Sequence, residues 1–314
     1  MTIGTWNLEN LFRPGDPDGP EDDATYRMKL AAPATTIGRL EPDLLGIQEV
    51  GNPDALADLV GLLPGRWHSA LSAHPDGRGI RVGFIARTPL ITVADVTAFP
   101  ALFAPVQTQD TGAPASGMGR GGLAVTTEPA AGRPLTAAVC HLKSKLLTYP
   151  GNRHAPRDEG ERARYAAYAL SRRGAEAATM RALADRLLAG DGRTHDVVLM
   201  GDLNDQPQAA TTQILYGPPG SQIGTPGFTH PDRGDASRLW NLAPRIPEDQ
   251  RFSRVFEGQG ELIDHILVSH ALLARVESAG TGADHPLPSV SARPAERQGE
   301  PGSDHAPVFA RLAY

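Results

Sequence analysis

The chain has 314 residues, 40% of them hydrophobic and 21% charged, with a formal net charge of −6. That length buries a sizeable core and the composition is near the globular norm, which excludes a small staple-dependent scaffold, a disordered chain and a coiled coil. A single cysteine, Cys140, excludes an intrachain disulfide framework, and the acidic balance argues against nucleic acid bound tightly over the whole surface.

Along the chain, Thr2 to Leu8 alternates like a strand, and Arg13 to Asp23 is an acidic Pro/Gly/Asp loop. A helix is predicted from Ala24 to Leu40, with Asp23 as N-cap and Pro33 kinking or dividing it. Leu44 to Glu49 reads as a buried strand and Pro53 to Leu63 as a helix with proline at its start. Strand-like segments follow at Trp67 to Leu71, Ile80 to Arg87, Leu90 to Phe99, Gly122 to Thr127 and Leu135 to Leu142, spaced like an antiparallel meander. Arg157 to Ala189 is helical in character and Asp196 to Met200 is an apolar strand. Further strands are predicted at Arg251 to Phe256, Glu261 to Ser269 and His305 to Leu312. This inventory predicts two layers of strands with helices outside.

Two long Pro/Gly-rich loops, 99–121 and 279–302, interrupt the chain without marking a domain boundary, so residues 1–314 read as one domain. Asp-His recurs at Asp264, Asp284 and Asp304 with disagreeing flanks, which is chance and not a repeat. No stretch approaches the roughly 20 apolar residues of a membrane span. The first residues lack the pattern of a signal peptide, and a soluble cytoplasmic protein is expected.

Charge is unevenly distributed. Between Lys143 and Arg173 eight basic residues face three acidic ones, a local +5 that leaves −11 for the remainder. Such a segment is either a solvated helical face or a phosphate-binding surface.

Polar residues at strand ends are the most informative feature. Asn7 and Glu9 stand where the first strand's alternation breaks, and Glu49 ends a buried strand, where a carboxylate faces solvent or holds a cation. In Gly201-Asp202-Leu203-Asn204-Asp205, Asp202 and Asn204 alternate after an apolar strand, so both side chains can be aimed at one point. Aspartate there can deprotonate a water and asparagine can hydrogen-bond an anionic oxygen. His305 opens the last strand, and Asp264, an acid inside an apolar run, is its candidate orienting partner. His141 is a second strand-end histidine, without an evident acidic partner in the sequence.

The ordered set Thr5 to Asn10 (TWNLEN), Ile47 to Val50 (IQEV), Cys140 to Lys145 (CHLKSK), Gly201 to Asp205 (GDLND), Ile263 to Ser269 (IDHILVS) and Ser303 to Val308 (SDHAPV) resembles the endonuclease/exonuclease/phosphatase superfamily. Each motif alone is a weak signal; six in one order are specific. The resemblance implies an α/β fold: a four-layer α-β-β-α sandwich of two mostly antiparallel sheets packed face to face. It also implies phosphoester hydrolysis dependent on Mg²⁺ or Mn²⁺. By position it implies Asn7 and Glu49 as metal-site residues, Glu9 and Asp304 as supporting ligands or residues just behind the ligands, Asp202 as the water-activating residue and Asn204 as its positioning partner. His305 would contact the scissile phosphate, oriented by Asp264, with His141 as a second histidine.

The basic segment begins two residues after His141, so Lys143 and Lys145 are candidate phosphate contacts, with Arg120 a third. A nuclease acting on DNA or RNA is the leading expectation. The alternative is a phosphatase or phospholipase-type enzyme on small or lipid phosphates. A calcineurin-type phosphoesterase would need an early D-x-H and a later G-N-H, and a serine hydrolase G-x-S-x-G; none occurs.

Overall fold

The protein is described by a computed structural model that covers all residues except 152, 154, 283–286, 292–296 and 298–299. In chain order the first half contains β1 (Thr2–Leu11), α1 (Asp23–Leu40), β2 (Leu44–Val50), α2 (Pro53–Gly61), β3 (His68–Leu71), β4 (Arg81–Ala86), β5 (Ile91–Ala98), β6 (Gly117–Ala130) and β7 (Arg133–His141). The second half contains α3 (Glu159–Leu188), β8 (Val197–Asp202), α4 (Ala210–Ile214), β9 (Leu239–Asn241), β10 (Arg254–Phe256), β11 (Gln259–Glu261), β12 (Asp264–Ser269), α5 (His270–Leu273), β13 (Val276–Thr281), β14 (Ser289–Val290) and β15 (Val308–Leu312).

Among the described residues these strands form two six-stranded sheets, β13-β15-β1-β2-β4-β3 and β5-β6-β7-β8-β12-β9, and a small sheet β11-β10-β14. Each large sheet is antiparallel except at its middle, where β1 runs parallel to β2 and β7 to β8. A parallel pair needs a crossover, supplied by α1 in one case and α3 in the other.

Three apolar clusters mark the three interfaces of a four-layer stack. Ile3, Leu44, Phe84, Val125, Val139, Met200 and Ile266 fill the space between the sheets. Trp6, Leu45, Ile47 and Ile85 turn the other way onto Leu30 and Ile37 of α1 and Leu56 and Leu59 of α2. Ala138, Cys140 and Leu199 turn onto Met180, Leu183 and Ala184 of α3. The split follows the two-residue period of a strand, as in Val198, Leu199 and Met200, which alternate between clusters. Cys140 is thus core, and burial raises its thiol pKa far out of the reactive range.

Several boundaries differ from expectation for identifiable reasons. Asp22, not Asp23, caps α1 by accepting from Thr25 N–H, and Pro33 lies inside an undivided helix. Asp158 caps α3, which starts at Glu159. The 99–121 loop ends early because β6 begins at Gly117. Its glycine-rich start hides a strand in which a Cβ at Gly122 would come within 2.3 Å of Met180 Sδ. Similarly, β13 extends to Thr281; it is an edge strand exposed at Glu277 and Ser278 and carries no apolar alternation. The dipeptide Asp284-His285 and much of the 279–302 loop lie outside the described residues.

Gly201 shows how closely β7 and β8 approach. Its φ is +146°, and a Cβ there would stand 2.0 Å from the Cys140 carbonyl oxygen. Gly201→Ala is expected to cost about 3 kcal/mol, read as a clear loss of melting temperature by circular dichroism. An unchanged melt would show that the strands separate freely at this point.

Candidate active site

The carboxyl ends of the two central parallel pairs meet at one edge of the sandwich. Asn7 lies across from Gln48 in the first sheet, and His141 across from Asp202 in the second. The antiparallel strand β12 then sets Asp264 opposite Asp202. Strand pairing therefore groups Asn7 with Glu49 in one sheet and His141 with Asp202 and Asp264 in the other, and the face-to-face packing of the sheets brings the two groups together. At this edge Glu9, Asn10, Glu49 and Asn204 all adopt left-handed backbone (φ 49°, 57°, 62° and 53°). Non-glycine residues held this way store strain, and strain that clusters points to function.

Asp202 is the hub. It is 1% exposed, and its Oδ2 accepts from Asn7 Nδ2 at 3.1 Å while its Oδ1 accepts from Asn204 N–H at 2.9 Å. Two imidazoles face the same oxygen: His141 Nε2 lies 3.4 Å from Oδ2 and His305 Nε2 3.9 Å. Asp202 is thus the acidic partner that the sequence did not reveal for His141. Burial, and then the neighbouring Asp264 carboxylate, push the Asp202 pKa up to about 7.

The two histidines are driven apart in charge. Burial opposes a cation at His305, but Asp264 and Asp304 outweigh it and lift its pKa to about 10. Asp264 Oδ2 stands 2.6 Å from His305 Nδ1, which fixes the ring and leaves Nε2 toward the pocket. At His141 burial is foremost, reinforced by Arg120, His305, Lys143 and Arg78, and it holds the ring well below the usual imidazole value. One site therefore holds a charged and a neutral imidazole at neutral pH.

The other side of the cleft is acidic. Glu49 Oε1 accepts from Asn7 Nδ2 at 3.2 Å and its Oε2 from Asn10 N–H at 3.0 Å. Glu9 Oε2 accepts from Asp304 N–H at 2.9 Å, and both Glu9 oxygens accept from Arg297. Asp304 Oδ2 also pairs with Arg254 of the small sheet at 3.3 Å. Lys29 of α1 faces Glu9 and Glu49, and burial lowers its pKa. Arg297 and Lys29 carried no sequence signal, since one lies in an aperiodic loop and the other on a helix of ordinary charge pattern.

The candidate phosphate contacts are differently engaged. Lys143 Nζ donates to the carbonyls of Ser144 and Leu146, and burial lowers its pKa to about 8. Its peptide is clamped by α3: its N–H donates to Glu176 and its carbonyl accepts from Arg173. Lys145 lies between Asp205 and Glu261, 3.5 Å from each, and Arg120 Nε donates to Asp76 at 3.0 Å. In the same basic segment Arg153 pairs with Glu161, Arg162 with Glu159, Arg164 with Asp110, Arg172 with Glu176 and Arg173 with Asp205. Acids from outside the segment thus neutralise much of its +5, a compensation that composition by segment does not reveal. Asn204 Nδ2 donates to the Leu142 carbonyl, which ties the turn after β8 to the end of β7.

The donor chemistry fits a hard divalent cation. The Glu49 and Asp202 carboxylates both accept from Asn7 Nδ2, which sets carboxylate oxygens from the two sheets at one point, and the Asp264 carboxylate stands close by. Asp264 Oδ1 is buried without a hydrogen-bond partner. Oxygen-rich sites of this kind suit Mg²⁺ or Mn²⁺.

The solved structures that this fold is similar to share its whole length. A mannosyl-6-phosphatase from Bacteroides thetaiotaomicron matches at 17% identity and a TM-score of 0.56, covering 100% of both chains. A 3' phosphatase from Neisseria bound to a product DNA hairpin matches at 18% identity and a TM-score of 0.54, also covering 100% of both. The human nocturnin catalytic domain matches at 14% identity and 0.52, covering 100% of this chain and 94% of that one. No curated protein matches the chain by sequence. Among the described residues no helix is long and apolar enough to cross a membrane. The model of the Endonuclease/Exonuclease/phosphatase family matches residues 4–305. With the site residues of these motifs at one edge of the sandwich and a family match across nearly the whole chain, the chain belongs to the endonuclease/exonuclease/phosphatase family of phosphoesterase hydrolases.

Proposed function

We propose that the protein is a divalent-metal-dependent phosphodiester hydrolase that cleaves nucleic acid by in-line attack of water. The observation that carries the chemistry is Asp202, a buried carboxylate with a pKa near 7 set between an imidazolium and a neutral imidazole. Such a group accepts a proton from water at physiological pH, when an ordinary aspartate is too weak a base.

Asn7 and Glu49 would hold the metal ion. When bound, that ion polarises the phosphoryl group and offsets charge on the leaving oxygen. The remaining steps belong to side chains of the chain. Asp202 orients the attacking water and takes its proton. His305, kept charged by Asp264, donates from Nε2 to a non-bridging phosphate oxygen as negative charge builds there. His141, neutral and on the other side of Asp202, offers a second donor without adding another buried cation. Arg78, Arg120 and Lys143, whose charges act together on His141, are the candidate phosphate contacts on this side, with Arg78 already paired with Asp18 and Arg120 with Asp76.

Similarity to a DNA-bound 3' phosphatase supports the nucleic-acid substrate. A second reading, hydrolysis of a small phosphomonoester, is favoured by the ion pairs that take up the basic residues of α3 and by the similarity to a sugar phosphatase. Plasmid, single-stranded DNA, RNA and a panel of sugar phosphates incubated with Mg²⁺, Mn²⁺ or EDTA separate the two. Polymer cleavage that EDTA abolishes is the expected result. Turnover of sugar phosphates with intact polymers would replace the first reading by the second, and full activity in EDTA would overturn metal dependence.

A further inference from the structure

Glu9 stands two residues beyond Asn7, at the mouth of an oxygen-rich pocket where a carboxylate is ordinarily available to a cation. Both of its oxygens are already taken. Arg297 donates Nε to Oε1 and Nη2 to Oε2, each at 2.7 Å, and the same Nη2 reaches the Gly302 carbonyl at 2.6 Å. Asp304 N–H donates to Oε2 as well. The side chains are 15% and 12% exposed, so water competes weakly for the pair. A fork-to-fork contact of this kind is the strong form of a guanidinium–carboxylate pair, and pulling Glu9 away would cost Arg297 its hydrogen-bonded counter-charge, with Asp304 and Glu300 left as its acidic neighbours.

We infer that Arg297 is a positioning residue. It withdraws Glu9 from metal ligation, keeps a permanent positive charge beside the Asn7–Glu49–Asp202 pocket, and through Glu9 holds the Asp304 backbone next to His305. The divalent ion is then bound more loosely than the local count of carboxylates suggests. This inference rests on the metal-dependent reading above, but it concerns a different property, the affinity of the pocket.

The two possible roles of Glu9 differ in a double-mutant cycle read by Mn²⁺ titration of the full-length protein, following free Mn²⁺ by electron paramagnetic resonance. Removing only the positive charge, in Arg297→Gln, is expected to tighten Mn²⁺ by about fivefold while kcat falls, because Asp304 loses its support. Glu9→Gln strands the arginine and is expected to weaken Mn²⁺ by about the same factor. The double variant removes one charge of each sign and is expected to return to within about twofold of wild type.

If Glu9 is a ligand, Glu9→Gln loses Mn²⁺ almost entirely and the double variant stays weak; that result overturns the inference. So does an unchanged affinity in Arg297→Gln. Arg297→Lys, which keeps the charge and loses the fork, provides an independent reading if the neutral variants do not fold. Its Mn²⁺ affinity is expected to lie between those of wild type and Arg297→Gln with kcat reduced, and weaker binding than wild type would overturn the proposal. A wild-type protein that binds no Mn²⁺ overturns the metal reading itself, and the inference with it.

Discussion

Replacing Asp202 by Asn is expected to lower kcat by about three to four orders of magnitude while leaving the metal-free protein as stable as wild type or more so. The rate effect follows from position. Asp202 is the carboxylate on which Asn7, Asn204, His141 and His305 all converge, and an amide there cannot take a proton from water. The stability effect follows from the sign of its shift. Burial raises its folded pKa from the ordinary 3.8 to about 7, so the stability it contributes is fully present below the unfolded value and is lost as pH rises through about 7. At pH 8 in EDTA the ionised group costs the fold free energy, and the amide removes that cost. Steady-state kinetics beside thermal melts in EDTA check both halves. A kcat within tenfold of wild type would remove Asp202 from the reaction, and a much lower melting temperature would make its role structural.

His305→Ala is expected to reduce kcat by about three orders of magnitude, with KM changed much less, because its donated hydrogen bond strengthens as phosphate charge builds. The charge depends on Asp264. Removing that carboxylate in Asp264→Asn leaves burial as the main influence on the ring, and the His305 pKa is expected to fall from about 10 to below the ordinary imidazole value. Long-range ¹H–¹⁵N spectra of the metal-free protein report this directly. The wild-type ring should stay protonated at pH 8 and the Asp264→Asn ring should not. A ring that stays charged in the variant would assign the shift to Asp304 or Asp202.

Much of this site was legible in the sequence because its residues occupy the ends of buried strands. A polar residue that ends an apolar run stands out, and Asn7, Glu49, His141 and Asp202 all do so. The partner of His305 was legible for a related reason: Asp264 interrupts the apolar strand Leu262 to Val268, where an acid needs compensation. What stayed hidden depends on contacts between distant segments. Arg297 meets Glu9 across 288 positions and belongs to no periodic pattern. The acids that neutralise the basic segment, Asp110, Asp205 and Glu261 among them, come from loops and a short strand elsewhere. The same holds for β9 and β13: each is short or edge-exposed and takes its strand form from its neighbours, β12 and β15.

The pairing of β1 with β15 also bears on how the enzyme comes into being. Asn7 and His305 lie at opposite ends of the region that the family model matches, and β1 gains its second neighbour only when Val308 to Leu312 dock on it. Closure over so long a separation is slow and late in folding. Until that last strand docks, the nascent chain has the acids of the pocket but not the imidazolium beside them. The pocket is therefore complete only once β15 has docked on β1.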